Sequence, residues 1–510
     1  MKTTIRQNIY LMLLVVATVL SSCNGFLDKM PDNRAELDSE EKVSQLLVSA
    51  YPKATYVQMA ELMTDNVTDN GPLYTTYTKS VEESYKWQDY TNNQQDTPQF
   101  LWDEFYKAIA AANHALEFID STDNPEDYAA HRGEALICRA YAHFILVNIF
   151  SQHYNATTSH ADLGIPYVEV PEKIVSGHYE RGTVAQTYEK IYQDIEEALP
   201  LISDSKYKKN VIKYHFNQKA AYAFAARFNL YYEKYDKVIE YATKALGNNP
   251  EKVLRDYNTI FESLSSNKDC GIAYIKAELP CNLLLISSYS SWTNNHWGRN
   301  TWYRYAHNMK KLEETLAGPG PWLILDYFKP TDKLFGGNEV TYFPKYNSFM
   351  EYTDVIAGIG YMNIINTAFT TDEVLLCRAE AYAHKKDYAN ATRDLACWYH
   401  SHTKDVVPGL TENRIDSYYG SANEILRPGL NPKFTIEKGK QENFLYCVLH
   451  FRRCETLHEG LRWFDIKRFG IEVTHPIYGE KEDVLTKDDL RRAVQIPADV
   501  VSAGMQPNPR

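Results

Sequence analysis

The chain has 510 residues, of which 44% are hydrophobic and 13% aromatic, and its formal net charge at pH 7 is −12. A chain of this length and apolar content can bury a sizeable core, so we expect a globular protein. The acidic balance makes nucleic acid and anionic membrane surfaces poor partners.

The first 22 residues have the layout of a secretory signal. Lys2 and Arg6 precede a run of about a dozen apolar residues, which is too short to span a membrane. Residues 20–23 (LSSC) resemble a bacterial lipobox, in which the peptide is cut before the cysteine and its thiol is acylated. We therefore expect Cys23 to be the first mature residue and to anchor the protein to a membrane. Ordinary secretion and an uncut anchor are the alternatives.

Helical periodicity dominates the chain that follows. Apolar residues recur at spacings of three and four in residues 103–119, and residues 133–150 are apolar on most faces, as expected of a central helix. Thr183 is suited to cap the N-terminus of a third helix. These segments predict consecutive helical hairpins.

Two later segments, residues 221–246 and 373–399, resemble each other. Each is interpreted as a helix, a short polar turn and a second helix, with Tyr235 and Tyr388 at matching positions after the turn. Such hairpins resemble tetratricopeptide repeats, a packing device that does not identify a ligand. We predict a mostly α-helical fold in which tetratricopeptide-like hairpins scaffold long irregular loops.

Long stretches rich in Gly, Pro, Asn and Tyr separate the helix pairs. They are residues 65–100, 155–180, 255–370 and 401–440. Loops of this length in a compact protein are usually functional. Within them, GIAYI (271–275) and CNLLLISSYSS (281–291) predict short strands, so we expect minor β content.

Seven cysteines remain after Cys23, an odd number that argues against a complete disulfide framework. Four of them lie in predicted helices, where a small buried apolar role is expected: Cys138, Cys377, Cys447 and Cys454. Cys270 and Cys281 flank GIAYIKAELP and either bridge two strands or remain free.

Several motifs occur in one order along the chain: the lipobox with CNGFLDK, then LWDEFYKAIAAANHAL, GEALICRAYAHFILVNIF, EVLLCRAEAYA, CETLHEGLRWFDIKRFG and AVQIPADVVSAGMQPNPR. Together they resemble the SusD/RagB family of outer-membrane nutrient-binding lipoproteins over nearly the whole chain. The resemblance implies a signal peptide (1–22), an N-terminal helical region (23–250) and a C-terminal region (251–510) that packs with it as one unit. It also implies a cell-surface lipoprotein that binds oligosaccharides, or peptides in some members, and passes them to a SusC-type TonB-dependent transporter without chemistry or cofactor.

Charged residues near the C-terminal end recur at helical spacings of three and four, which predicts structural ion pairs along and between short helices. They are Arg452, Glu455, Glu459, Arg462 and Asp465. A packing role is also predicted for Trp87 and Trp102, which lie in more regular surroundings.

Residues 288–305 are the first candidate ligand-binding segment. Sugars present apolar faces and hydroxyl edges, so a glycan site needs aromatic platforms flanked by polar side chains. The segment has no clean periodicity, which favours an exposed loop; the alternative is that its tryptophans fill a gap between loop and helices. The candidate residues are Trp292, Trp297, Trp302, Asn295, His296 and Arg299.

Residues 64–77 are the second candidate, because the resemblance implies that loops in the N-terminal half contact ligand. Tyr74 and Tyr77 can stack on a sugar, and Asp65 and Asp69 can accept its hydroxyls. The alternative is a polar turn around the Gly-Pro pair within this segment.

No motif points to an enzyme. The chain has no H-E-x-x-H or C-x-x-C metal spacing, no G-x-S-x-G elbow and no phosphate-binding glycine loop. With 66 acidic residues, spacing alone neither establishes nor excludes a glycosidase carboxylate pair.

The predicted function is glycan capture for a transporter. A peptide-binding member of the same family and a tetratricopeptide-like lipoprotein that binds only proteins are the alternatives, and a lipid-anchored glycosidase is a third.

Overall fold

The structure, a computed structural model, describes residues 37–74, 78–172, 179–293, 303–322, 328–330, 334–336, 340–404 and 409–510. The chain divides into two compact units, Met1–Val43 and Ser44–Arg510. The predicted signal peptide and Cys23 lie outside the described residues, and the predicted boundary at residue 250 stays a prediction.

Helices make up most of the regular structure in the described residues. They are α1 (Glu40–Val48), α2 (Val57–Leu62), α3 (Lys79–Tyr85), α4 (Pro98–Ser121), α5 (Ala129–Phe150), α6 (Val184–Ala198), α7 (Gln218–Tyr231), α8 (Tyr235–Leu246), α9 (Tyr257–Phe261), α10 (Asn267–Tyr274), α11 (Met309–Glu313), α12 (Thr371–His384), α13 (Tyr388–His402), α14 (Glu412–Ser421), α15 (Lys440–Glu455), α16 (Leu461–Arg468) and α17 (Ala498–Ser502). The strands are short apart from β2, β6 and β7. They are β1 (Thr68–Asp69), β2 (Asn282–Tyr289), β3 (Tyr305–Ala306), β4 (Phe335–Gly336), β5 (Thr341–Tyr342), β6 (Ser348–Asp354), β7 (Ile359–Thr370), β8 (Val473–His475) and β9 (Asp483–Leu485). The predicted mostly helical fold with minor β content is confirmed.

The three predicted N-terminal helices are α4, α5 and α6, and each packs against the next. Thr183 caps α6 in a capping box: its Oγ1 accepts the N–H of Gln186 at 3.2 Å, and the Gln186 side chain accepts the N–H of Thr183 at 2.9 Å. Helix α5 is buried on nearly all faces. The segment Pro125–Phe150 is long and apolar enough to cross a membrane by length and composition, yet its most apolar window is 100% buried. Its apolar character therefore matches the interior of this fold.

The two similar segments fold alike, as α7–α8 and α12–α13, and α12 packs against α8. In each turn one residue takes a left-handed backbone conformation, Glu233 at φ 61° and Lys386 at φ 59°. The next residue, Lys234 or Asp387, donates its N–H to the carbonyl five positions earlier, at 2.9 Å in both turns. This is the closure expected when a helix ends and the chain reverses. The predicted internal repeat is confirmed.

Buried arginine–carboxylate pairs join neighbouring helices. They are Arg139–Asp194 at 2.6 Å between α5 and α6, Arg227–Glu373 at 3.0 Å between α7 and α12, and Arg378–Asp394 at 2.7 Å between α12 and α13. Removing one partner of such a pair leaves an uncompensated buried charge, so these pairs constrain how the helices are arranged.

Strands β2, β7 and β6 form an antiparallel sheet in that order. Strand β2 confirms the prediction from CNLLLISSYSS, but the predicted GIAYI strand is wrong, because these residues lie in or beside α10. The hydroxyl of Ser266 caps α10 by accepting the N–H of Asp269 at 3.1 Å. Gly271 approaches the carbonyl of Tyr346 so closely that a Cβ would lie 2.1 Å from its oxygen. A short apolar run is compatible with either structure, and here the cap and the close packing select the helix.

The described cysteines are all free thiols. Cys138, Cys377, Cys447 and Cys454 are buried in helices, as predicted. Cys270 and Cys281 are buried and unbridged, which favours the second of the two alternatives.

Candidate functional site

The two candidate ligand-binding segments meet in space. Strands β1 and β3 pair antiparallel, with Thr68 opposite Ala306 and Asp69 opposite Tyr305. Just beyond the pairing, the N–H of Asn70 donates to the carbonyl of Arg304 at 2.7 Å. Segments more than 200 positions apart in the sequence therefore share one edge of the protein. We call residues 69–74, residues 303–308 and Tyr478 the tyrosine platform.

An ion pair holds this edge together. Arg304 donates to both carboxylate oxygens of Asp69 at 2.8 Å, and the backbone N–H groups of Gly71 and Tyr478 donate to the same carboxylate at 2.8 and 3.0 Å. Burial opposes ionisation of Asp69, but these donors lower its pKa below the ordinary value. Four donors saturate a carboxylate, so Asp69 orients the platform, and its predicted contact with sugar hydroxyls stays a prediction.

Asp65 anchors the same segment to the helical body. Its carboxylate accepts two hydrogen bonds from Arg462 at 2.9 and 2.8 Å, and Arg453 lies 3.7 Å away. Although burial opposes ionisation, these two arginines hold the pKa of Asp65 well below its usual range. Asp65 is therefore engaged internally, and its predicted ligand contact also stays a prediction.

Tyrosine rings form the apolar part of the platform. Tyr74 packs against Tyr303 and Val340. The Tyr478 side chain is 66% exposed and lies over Gly71, where a Cβ would lie 3.3 Å from the ring. Gly71 also has φ +93°, so a glycine here permits both the turn and the close approach of the ring.

Amide groups join the two segments of the platform. Asn308 donates from Nδ2 to Oδ1 of Asn70 at 2.9 Å, and Asn70 donates from its own Nδ2 to the carbonyl of Tyr303 at 3.2 Å. The platform therefore combines ring faces with fixed amide and guanidinium groups. This is the combination that recognises the apolar faces and hydroxyl edges of sugars.

A stack of four rings supports the platform from below. Trp87 lies on His475, His475 on Tyr85 and Tyr85 on Tyr305, with centroid distances of 4.1, 4.1 and 4.5 Å. Burial lowers the pKa of His475 to about 4, so its ring stays neutral in this stack. The Tyr85 hydroxyl accepts the N–H of Asp69 at 3.0 Å and thereby ties the stack to β1. The packing role predicted for Trp87 is confirmed.

Trp292 is a core residue, which corrects the expectation of an exposed ring. Its side chain is fully buried beside Leu62, Tyr85 and Tyr305. The chain turns inward after β2 because Ser290 accepts the N–H of Trp292 at 3.1 Å and donates its hydroxyl to Asp96 at 2.5 Å. With no exposed face, Trp292 supports the platform from inside. Trp297, Trp302, Asn295, His296, Arg299 and Tyr77 lie outside the described residues, and their roles stay predictions.

Sequence reasoning missed two tyrosines of the platform: Tyr478, which is exposed, and Tyr303, which is buried and supports Tyr74. Tyr303 lies in the same WYRY run as a predicted tryptophan, so composition contained a signal for it. No sequence signal pointed to Tyr478, because it reaches the platform from the loop between β8 and β9, far along the chain.

The charged cluster predicted near the C-terminal end is structural. Arg452 lies 3.1 Å from both Glu380 and Asp465, and Lys345 lies 2.8 Å from Glu459. All these side chains are buried or nearly so. The prediction of ion pairs between short helices is confirmed.

One group of side chains in the described residues has the spacing to hold a metal ion. Ligand atoms of Asp372, His402 and Glu455 lie within 4.8 Å of one another, and all three residues are buried. The His402 Nε2 lies 2.9 Å from Glu455, which also accepts the indole N–H of Trp398 at 2.9 Å. Burial opposes ionisation of Glu455, but His402 and Lys345 hold its pKa below the ordinary value. These contacts form an internal ion-pair network.

A sequence profile for a SusD-like family, described as "Starch-binding associating with outer membrane", matches residues 25–230. A SusD-like protein of Formosa agariphila is 24% identical over 261 residues, which are 48% of this chain and 46% of that protein. The matched region thus spans less than half the length of this relative.

Solved structures share the fold over most of the chain. A SusD superfamily protein of Bacteroides thetaiotaomicron has a TM-score of 0.65 at 18% identity, covering 92% of this chain and 99% of its own. A protein of Bacteroides vulgatus described as a putative sugar-binding protein has a TM-score of 0.63 at 19% identity, covering 92% and 97%. The profile and this second neighbour are both described by a binding role.

Proposed function

We propose that the chain belongs to the SusD/RagB family, binds oligosaccharides at the cell surface and delivers them to a SusC-type TonB-dependent transporter of the outer membrane. The observation that carries the proposal is the meeting of the two candidate segments at the tyrosine platform. Two residues selected from sequence, Asp69 and Tyr74, lie there with the exposed ring of Tyr478, and the Asp69–Arg304 pair fixes this edge.

The platform suits a weak, reversible capture site. The exposed Tyr478 and the half-buried Tyr74 offer ring faces at low cost in conformational entropy, because the ring stack beneath β1 and β3 already holds the backbone in place. Capture for transport requires release, so we expect dissociation constants between micromolar and millimolar, about −8 to −4 kcal/mol.

Isothermal titration of the purified full-length protein in detergent against plant, host and microbial oligosaccharides tests the proposal. At least one oligosaccharide is expected to bind, and Tyr478→Ala is expected to weaken it. Trp297→Ala and Trp302→Ala test the predicted residues in the same assay. Tyr352→Ala replaces an exposed tyrosine on β6, outside the platform, and is the matched control.

Absence of binding across the panel by a protein shown to be folded would overturn the proposal. Thermal stabilisation by peptides without any glycan response would then select the peptide-binding alternative. Equal weakening of oligosaccharide binding by Tyr352→Ala and Tyr478→Ala would show that the binding site is not at the platform.

Membrane anchoring and the transporter partner have separate tests. Labelling cells with an alkyne fatty acid is expected to modify the wild-type protein and not Cys23→Ser, and equal labelling of both would reject Cys23 as the lipidated residue. Affinity purification from detergent-solubilised membranes is expected to recover a β-barrel partner in near-stoichiometric amount. Recovery of the tagged protein without such a partner would argue against delivery to a transporter.

A further inference from the structure

A cavity that shares no residue with the platform lies between α4, the segment around Pro166–Glu172 and α17. Its volume is about 420 Å³, which is within the usual range for small-molecule sites. On α4, Trp102, Asp103, Tyr106 and Ala110 recur at spacings of three and four, so they share the face that lines it.

The floor of this cavity is apolar and aromatic. The rings of Trp102 and Tyr106 lie 4.8 Å apart, and the Tyr106 hydroxyl donates to the carbonyl of Pro166 at 2.8 Å. Val168 and Met505 add aliphatic surface from the other walls. The Tyr106 ring is thereby fixed with its polar end satisfied inside the protein.

The rim is acidic. Asp103, Glu172 and Asp499 line the cavity from three different segments, and among the described lining residues there is no lysine, arginine or histidine. Lys107, one turn after Asp103 on α4, is paired with Glu104 at 2.6 Å. Three carboxylates around an apolar floor favour a ligand that carries a positive charge on an apolar body.

We propose that this cavity binds an organic cation, an ammonium group on an aromatic or aliphatic body. The body lies over the half-buried ring of Tyr106, where a cation near the ring face is also attracted by the ring quadrupole, and Trp102 packs beside this ring as a buried support. The ammonium group is held by the carboxylates of Asp103 and Asp499. This site is separate from glycan capture, and the proposal does not depend on that function.

Three probes with the same phenyl body and different charge test the proposal: phenethylammonium, 2-phenylethanol and 3-phenylpropionate. Titrated into the full-length protein in detergent, the cation is expected to bind at least tenfold more tightly than the alcohol. The carboxylate is expected to bind more weakly than the alcohol.

Two kinds of variant separate charge from shape. The double variant Asp103→Asn, Asp499→Asn is expected to bring the cation to within about threefold of the alcohol. Ala503→Trp places a large ring in the cavity and is expected to abolish binding of both. Asp123→Asn, an exposed acid outside the lining, is the control and is expected to leave the affinities unchanged.

Equal affinity for all three probes would overturn the proposal, as would cation binding that Ala503→Trp does not change. Circular dichroism of each variant confirms that the fold is retained. For a variant that fails to fold, Val500→Trp on the same wall replaces Ala503→Trp.

Discussion

The tyrosine platform and the core between α12, α15 and α16 both use arginine–carboxylate pairs, but at different exposure. At the platform, Arg304 keeps 20% of its side chain exposed, while the Asp69 carboxylate that it binds is 1% exposed. In the core, Arg452 and its two carboxylates, Glu380 and Asp465, are at most 1% exposed. Water reaches one partner of the platform pair, so breaking it costs less than breaking a pair that is buried on both sides, which is strongly destabilising. The exposure of the arginine therefore distinguishes the two roles. The partly exposed Arg304 orients a surface, and the buried Arg452 is required by the fold.

Arg452→Ala is expected to have the largest effect and tests the core side of the comparison. Glu380 and Asp465 would each lose a partner at 3.1 Å while remaining buried, so the free energy of unfolding should fall by about 3–5 kcal/mol. Urea denaturation followed by circular dichroism measures it. Arg393→Ala, with a side chain 61% exposed, is the control and should change stability by less than about 0.5 kcal/mol. A loss no greater than that of the control would contradict the comparison.

Asp96→Asn extends the comparison to a buried carboxylate that is held by neutral donors. The hydroxyl of Ser290 and the N–H of Ser291 donate to Asp96. Burial raises its pKa from 3.8 to about 6. The folded protein therefore binds more protons than the unfolded chain between these values. The stability that this group contributes is full below about pH 4 and is lost as the pH rises through about 6.

The asparagine variant removes that pH dependence. An amide can accept from Ser291 and donate to the Ser290 hydroxyl, and asparagine tolerates the positive φ of 60° at this position. At pH 7 the variant should be more stable than wild type by up to about 3 kcal/mol, with little difference near pH 4. Denaturation at both pH values measures this, with the exposed Asp127→Asn as control. A constant difference between variant and wild type at the two pH values would reject the assignment.

Arg304→Ala tests the platform side. Asp69 would lose two hydrogen bonds but keep the N–H groups of Gly71 and Tyr478, so the free energy of unfolding should fall by about 1–3 kcal/mol, less than for Arg452→Ala. The loosened edge is expected to weaken oligosaccharide binding about tenfold, measured by titration. Arg304→Lys, which retains the charge but not the bidentate contact, should give an intermediate affinity. A large loss of stability with unchanged oligosaccharide affinity would show that the fold requires this pair, as it requires the Arg452 pairs, and that the pair does not orient a binding surface.

Tyr478→Ala is expected to have the smallest effect on stability, within about 0.5 kcal/mol, because most of the side chain is exposed. Losing one stacking face should weaken oligosaccharide binding about fivefold. Tyr478→Phe keeps the ring and should bind nearly as wild type does. If both variants lose affinity equally, the hydroxyl and not the ring face is the contact.

Much of the helical framework was predictable because its causes are local. The capping box at Thr183 lies within four consecutive residues, and the repeat of α7–α8 in α12–α13 is visible as similarity between two segments. The GIAYI strand was predicted wrongly because a short apolar run has no decisive period. Trp292 was expected on the surface because its polar neighbours suggested exposure, whereas the turn after β2 directs the ring into the core.

The sequence by itself determined the helical hairpins, their repeat and two segments with the composition of a ligand site, because periodicity, capping and composition act over a few residues. Only the tertiary structure decided that these segments meet through β1 and β3, that Asp69 pairs with Arg304 and that Tyr478 joins them. These contacts link residues more than 200 positions apart, and their geometry depends on how the whole core packs. Charge and aromatic content identify candidate residues for such contacts. The packing of the whole fold determines which of these side chains are buried and which remain exposed.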